Sequence, residues 1–529
     1  MAARITDKPM ARTAGIVMFL ILISRILGLI REQVVAFIFG QNWQTDVFTA
    51  AFTLPDLMYI LLIAGGLNAA FIPVFTAYLA RGKEREGWQM AWTFFTLGLI
   101  FLVIFTIAGA IFTPALTPLV AYAYQGRERA LLIQLMRIMF PAVFFTALAG
   151  LGMGIHKSYK SFSAPLWGPI FYNTAIIVGT YMLAPRLGIA GMALATVTGA
   201  FLNFIIQLPF FIKKCRSHPF ALNLHHPGLH KVLYLMGPAV VSSSIVQVNL
   251  IINRNLASAL PEGSIRALQN ANTLVQFPLG VFAMGVGMVI LPTLSGLMAQ
   301  GETERFRATF SEGLRMVLFV TIPSAIGLAV LREPLIRLLF QSGQFTADDT
   351  QQAAYALLFY TIGLVSQAAI QILIQVFYSL QDTRTLVRVS ATAIVLNTAL
   401  SLTFLYGTNM QHGGLALAYS LTNLVNLATY LHQLRKRIGS IDGRRLLRTS
   451  LLSLTASACM AVSAGLSSRW AARYAGSVGL AARGAEVAVG VGVGILVYFT
   501  VAWLLKMDEI TLLLQALRGK RHSTSGSAT

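Results

Sequence analysis

Apolar stretches of about twenty residues recur along the whole chain, each closed by a short polar or charged segment. The spacing predicts about fourteen membrane spans, near 13–40, 45–80, 88–121, 130–156, 163–184, 187–212, 230–260, 264–299, 305–331, 347–380, 383–406, 412–434, 447–468 and 480–506. Inside each span the apolar residues run continuously. The two-residue alternation of a membrane β-barrel is absent from the pattern. The expected fold class is therefore an all-α polytopic membrane protein. Pro55, Pro73, Pro141, Pro278, Pro292 and Pro323 fall inside spans and predict kinks or breaks.

The pattern also repeats. FIPVFTAYLARGKERE at 71–86 matches ILPTLSGLMAQGETER at 290–305: each has a proline nine residues before a glycine, then a charged segment. SYKSFSAP at 158–165 and FYSLQDTRTL at 377–386 form a second pair at a similar offset. The expected organisation is a six-helix lobe over 1–214, a duplicated six-helix lobe over 215–440, and two further helices with a basic tail over 441–529. An even number of spans per lobe gives both lobes the same topology. Transporters use such repeats to place a central site between rocking halves.

Composition agrees with the pattern: 56% of residues are hydrophobic and only 11% are charged, too few to cover a soluble protein of 529 residues. The net charge of +21 takes its meaning from where the basic residues lie. About 26 of the 40 Lys and Arg fall in loops on one side of the predicted spans and about 8 on the other. By the positive-inside rule both termini are expected in the cytoplasm, and nucleic acid is not an expected partner. The first apolar stretch is too long for a cleavable signal peptide and is interrupted by arginine. Cys215, in a basic loop, and Cys459, in a late span, suggest neither a disulfide nor a metal cluster.

Candidate chemistry begins in SRILGLIREQVVAFIFG, residues 24–40, where Arg25, Arg31 and Glu32 interrupt an apolar helix. A charge at that depth persists when it faces a cavity or a partner. Arg25 and Glu32 are seven residues apart and share a face with Gly28, so Glu32 is expected to orient Arg25. Arginine's planar fork suits phosphate or carboxylate; a structural Arg–Glu pair would explain one arginine but not both. Asp46 opens the second span. That span also carries Pro55, the Gly65–Gly66 pair and Pro73, a candidate hinge or simply a close-packing surface. In the second half, Arg254, Arg266, Gln269, Asn270, Asn272 and Gln276 form a polar seam on two adjacent spans, suited to hydroxyls and amides or to holding helices together. The candidate substrate-binding set is Ser24, Arg25, Arg31, Glu32, Asp46, Asn173, Arg254 and Gln269. The candidate hinges are Gly28, Pro55, Gly65, Gly66 and Pro278. No catalytic, cofactor or metal site is expected, since no phosphate-loop, zinc-protease or serine-nucleophile motif occurs.

SRILGLIREQVVAFIFG, followed by TDVFTAAFTLPDLMYILLIAGGLNAAFIPVFTAYL, resembles the MurJ/MviN lipid II flippases of bacterial cell-wall synthesis. QFPLGVFAMGVGMVILPTLS, FQSGQFTADDT and VFYSLQDTRT resemble them too. The resemblance implies the MOP superfamily fold, with two six-helix lobes and two additional helices. It implies alternating-access transport of undecaprenyl-pyrophosphate disaccharide-pentapeptide across the bacterial cytoplasmic membrane, with lipid II and the bilayer as partners and other cell-wall synthesis proteins as further ones. Arg25, Arg31 and Asp46 match the family's cavity residues. The chain departs from the family at Tyr59 and Thr273, where an arginine is common, at Ala64, where a glutamate is common, and at Asn272, which replaces an acid. The positions matching a sodium site, Asn253, Asn397 and Ser401, carry no acid, which argues against sodium coupling. Alternative readings are a flippase for another polyprenyl-pyrophosphate oligosaccharide, a multidrug antiporter of the same superfamily, and a non-transporting cell-wall scaffold.

Overall fold

A computed structural model of the chain describes residues 8–61, 67, 70–159, 161, 163–475 and 479–511. Among these residues the regular structure is helical, with no strand. Gly65, Gly66 and Ala64 lie outside the described residues. The chain clusters into two units, Met1–Arg266 with Phe340–Asp349, and Ala267–Leu339 with Thr350–Thr529.

Unit 1 begins with α1 (Lys8–Phe39), followed by α2 (Trp43–Ala51), α3 (Thr53–Ile60), α4 (Ile72–Ala80), α5 (Glu84–Ile111) and α6 (Thr113–Val120). It continues through α7 (Gly126–Ser158), α8 (Ser163–Leu187), α9 (Ile189–Ile205), α10 (Leu208–Arg216) and α11 (Pro227–Ala257). α7 is the central post, contacted by α2, α3, α5 and α9. Leu135, Met136, Met139 and Phe140 of α7 meet Val47, Phe48 and Ala51 of α2 in a fully apolar core. A second core stacks Phe71, Phe75, Trp88, Phe94 and Phe95, closed by Leu229 and Val232 of α11. The outward face of α5 shows Ile100, Phe101, Ile104, Ile107 and Ile111. That apolar surface is what a helix presents to lipid.

Unit 2 holds α12 (Ser264–Pro278) beyond its first turn, then a π-helical turn (Leu279–Ala283), α13 (Met284–Ala299), α14 (Thr303–Val330) and α15 (Arg332–Phe340). It ends with α16 (Ala347–Ser379), α17 (Thr383–Gly407), α18 (Gln411–Ile438), α19 (Gly443–Ala475) and α20 (Leu480–Leu504). α14, α19 and α20 pack through Phe319, Ala456, Met460 and Tyr498, and the Tyr498 hydroxyl donates to the Phe319 carbonyl at 2.5 Å.

Several predicted spans match single helices within a few residues, as 163–184 matches Ser163–Leu187 and 347–380 matches Ala347–Ser379, while 45–80, 88–121, 187–212 and 264–299 are each divided into shorter helices. The breaks follow proline more selectively than expected. α3, α4, α6 and α10 each start one or two residues before a proline (Pro55, Pro73, Pro114 and Pro209), where the missing N–H costs nothing. Pro278 closes α12 and is followed directly by the π turn. Helices α7, α13 and α14 run on through Pro141, Pro292 and Pro323. Around Pro141 the neighbours Phe140, Ala142 and Val143 are buried, and packing holds the helix together despite one lost hydrogen bond.

Candidate functional site

α1 runs unbroken through Gly28, and a Cβ added there would meet nothing within 4 Å. Ser24, Arg25, Arg31 and Glu32 therefore stay in helical register. Glu32 is the hub. Its Oε1 accepts from Arg31 Nη2 at 2.6 Å and its Oε2 from Arg266 Nη2 at 2.6 Å. The Arg266 and Glu32 side chains are 4% and 10% exposed, so this is a buried pair. The other arm of Arg31, Nη1, donates to Asn173 Oδ1 at 3.3 Å. Asn173 is anchored by donating from Nδ2 to the Pro169 carbonyl at 2.9 Å and the Ser24 carbonyl at 3.4 Å.

The structure departs here from the expectation that Glu32 orients Arg25. Residues seven apart on a helix share a face but lie about 10.5 Å apart along the axis. The adjacent Arg31 folds back instead, and Arg266 arrives from elsewhere in the chain. Arg25 is exposed and among the described residues makes no ion pair.

A capping box aims Asp46. Asn42 Oδ1 accepts from the amides of Gln44 and Thr45 at 3.0 and 3.2 Å, and Thr45 Oγ1 accepts from the Asn42 amide at 3.0 Å. This fixes the first turn of α2, where Asp46 is buried. Its Oδ2 accepts from the Gly263 amide at 2.6 Å and its Oδ1 from the Arg266 amide at 2.7 Å. Arg266 is thus clamped twice, by its backbone to α2 and by its side chain to α1. The segment Phe340–Asp349 adds a third tie, Gln344 N donating to the Phe37 carbonyl at 2.9 Å. Gly40 and Gly343 flank that bond at φ +70° and +60°. A Cβ on Gly40 would stand 2.5 Å from the Gln344 carbonyl oxygen, and one on Gly343 would overlap the Phe37 carbonyl oxygen.

Arg254 Nη1 donates to Thr53 Oγ1 at 3.1 Å, placing it on α3, within electrostatic reach of Asp56. Gln269 is half-buried on the unit 2 portion of α12. Of the expected residues, Ser24, Arg31, Glu32 and Asn173 therefore share one network, joined to Asp46 through Arg266, while Arg25 stands apart from it. Arg266, Gly263 and the Gly40–Gly343 clasp were not among the expected site residues. Arg266 did stand out as a member of the polar seam, but nothing in the sequence says that its partner is Glu32. Among the described residues no group of three or more His, Cys, Asp or Glu could hold a metal ion.

The family profile described as "Lipid II flippase MurJ" matches residues 35–481. A Vibrio cholerae protein called "Probable lipid II flippase MurJ" is 35% identical over 438 residues, covering 80% of this chain and 82% of that one. A structure titled "Lipid II flippase MurJ, inward closed conformation" superposes with a TM-score of 0.78 at 23% identity, covering 94% of this chain and 99% of the other. An inward-facing multidrug transporter of the MOP superfamily superposes with a TM-score of 0.68 at 14% identity, over 79% of this chain and 96% of that one.

Proposed function

The chain belongs to the lipid II flippase MurJ family, and on that premise we propose that Glu32 couples substrate binding to opening of an outer gate. The protein is a multi-pass inner-membrane transporter that flips lipid II, and it is not an enzyme. The basic loops, and with them both termini, face the cytoplasm. Two six-helix lobes and two further helices then carry out alternating access, with other cell-wall synthesis proteins as partners.

The observation that carries the reading is the double engagement of Glu32, with Arg31 on one oxygen and Arg266 on the other. Arg25 and Arg31 lie about 9 Å apart along α1, a span that a pyrophosphate with its attached sugar can bridge. Exposed Arg25 meets the pyrophosphate first. Once the phosphate draws Arg31 away, Glu32 is left buried with one cation instead of two and beside a new anion, which raises the cost of keeping it buried in the closed clamp. Opening releases Arg266 and the Asp46 carboxylate together. Each close arginine–phosphate pair is worth about 4 kcal/mol of gross attraction at an effective dielectric near 20. Desolvation leaves about 1–3 kcal/mol net. That is enough to bias a gate and small enough to let the product leave.

The test is replacement of a host's own lipid II flippase by this chain during depletion. Growth supports the reading. Failure to grow with inserted protein, together with rescue of a mutant lacking a different polyprenyl-pyrophosphate oligosaccharide flippase, would transfer the assignment to that substrate.

A further inference from the structure

Unit 2 contains a cleft that the transport reading does not use. Arg315 of α14, Arg445, Arg448, Thr449 and Leu452 of α19, and Lys506 to Glu509 just beyond α20 line it. Its volume is about 50 Å³. That admits one phosphate-sized group and no glycan or peptide, since pockets for drug-sized ligands run to roughly 300–1,000 Å³. Four cations and two acids line it, and one acid is already committed. Glu509 Oε1 accepts from Arg315 Nη1 at 3.2 Å and from Thr449 Oγ1 at 2.7 Å, with the Arg315 and Glu509 side chains 12% and 3% exposed. This buried tie holds α14, α19 and the end of α20 together as a rigid wall.

Above the wall Arg445 pairs with Asp442 at 3.5 Å, and the remaining exposed cations, Arg448 and Lys506, outnumber the one exposed acid, Asp508. Arg448 and Lys506 are exposed and, among the described residues, make no ion pair. Lys506 sits at φ +52°, a left-handed position that glycine or asparagine occupies with less strain. The turn is held by its amide donating to the Trp503 carbonyl at 3.0 Å. Beside the cleft, Leu447, Leu451 and Leu454 of α19 form an exposed stripe that begins next to Arg448, and Trp503 and Leu504 are exposed at the end of α20. A tryptophan at a helix end marks the depth of lipid headgroups. The site therefore offers a phosphate-sized basic pocket adjoining acyl-chain surface. Basic pockets between membrane helices bind anionic headgroups.

We infer that this cleft binds the phosphodiester of an anionic membrane phospholipid whose chains lie along the α19 leucine stripe and Trp503. The adjoining apolar surface favours a lipid over free phosphate as the source of the phosphate group. The full-length protein in detergent is titrated with dioleoylphosphatidylglycerol and bound lipid is read by native mass spectrometry. Dioleoylphosphatidylcholine and inorganic phosphate are the comparison arms. Phosphatidylglycerol is expected to bind at least tenfold more tightly than phosphatidylcholine, and millimolar inorganic phosphate is expected not to displace it. Arg448→Ala/Lys506→Ala is expected to weaken phosphatidylglycerol about thirtyfold, from the charge–headgroup attraction of two basic residues. Arg448→Lys/Lys506→Arg should retain binding, which separates lost charge from lost folding. Arg435→Ala/Lys436→Ala, an equal charge loss at the end of α18, should leave binding unchanged. Equal binding by the first variant, an equal loss in the α18 control, or displacement by inorganic phosphate would each overturn the inference.

Discussion

Arg266 is the residue on which the gate argument can fail most cleanly. Its side chain holds Glu32 Oε2 at 2.6 Å and its amide holds Asp46 Oδ1 at 2.7 Å. Arg266→Ala keeps the amide contact and removes the guanidinium. Glu32 is then buried with one cation instead of two. Removing one partner of a buried ion pair costs about 3–5 kcal/mol. If that cost falls only on the closed state, the open fraction rises roughly 150-fold or more, at 1.4 kcal/mol per factor of ten. The assay uses Ser264→Cys, at a position 2% exposed beside the clamp, with Cys215 and Cys459 replaced by serine. A membrane-impermeant maleimide labels this cysteine at a rate proportional to the open fraction. Arg266→Ala should raise that rate at least a hundredfold and Arg266→Lys by less, because lysine keeps the charge but not the fork. Glu32→Gln should also raise it, since a neutral amide accepts more weakly from both arginines. The double change Glu32→Gln/Arg266→Gln should fall well short of the sum of the single effects. Unchanged labelling in Arg266→Ala at normal abundance, or strict additivity in the double variant, would refute the clamp.

Other outcomes follow from the same geometry. Arg25→Ala should abolish rescue at normal abundance and Arg25→Lys should restore part of it; a loss of abundance in Arg25→Ala would instead make Arg25 structural. Gly343→Ala forces a side chain into a φ of +60° and into the Phe37 carbonyl oxygen, so it should raise Ser264→Cys labelling and weaken rescue. Sodium at fixed membrane potential should change transport little, because Asn253, Asn397 and Ser401 offer only uncharged oxygens; a steep sodium dependence would oppose this. Asp382, between α16 and α17, caps α17 through the Thr385 amide at 3.1 Å and pairs with Arg437 at 2.9 Å. Burial pushes its carboxyl up, but the Thr385 hydrogen bonds and the Arg437 and Arg388 charges outweigh that and hold its pKa below the ordinary value. A lowered pKa contributes stability above the unfolded value and loses it as pH falls through the folded one. Asp382→Ala should therefore lower the unfolding temperature by the same amount from pH 8 to pH 5, corresponding to about 1 kcal/mol for the lost cap. The gap should close below about pH 4.

The span pattern determined the class of this protein and the limits of its long unbroken helices, such as Ser163–Leu187 and Ala347–Ser379. A helix in lipid must satisfy its own backbone and needs about twenty apolar residues, so its limits are written locally. The prolines that start helices were equally local, as Pro55 and Pro73 show. Arg25, Arg31, Glu32 and Asp46 stood out because charge inside an apolar run is expensive wherever the chain goes next. The partners of those charges were not local. Glu32 is 234 residues from Arg266, and Asp46 is 217 residues from Gly263. Helical periodicity put Arg25 and Glu32 on one face, yet the axial rise kept them apart and left the carboxylate to arginines it reaches at 2.6 Å. Nothing in the sequence paired Gly40, at the end of the predicted span 13–40, with Gly343; the fold brought the first against the Gln344 carbonyl and the second against the Phe37 carbonyl. Which acid meets which base is set by how separately legible helices pack, and that depends on the shape of every side chain between them.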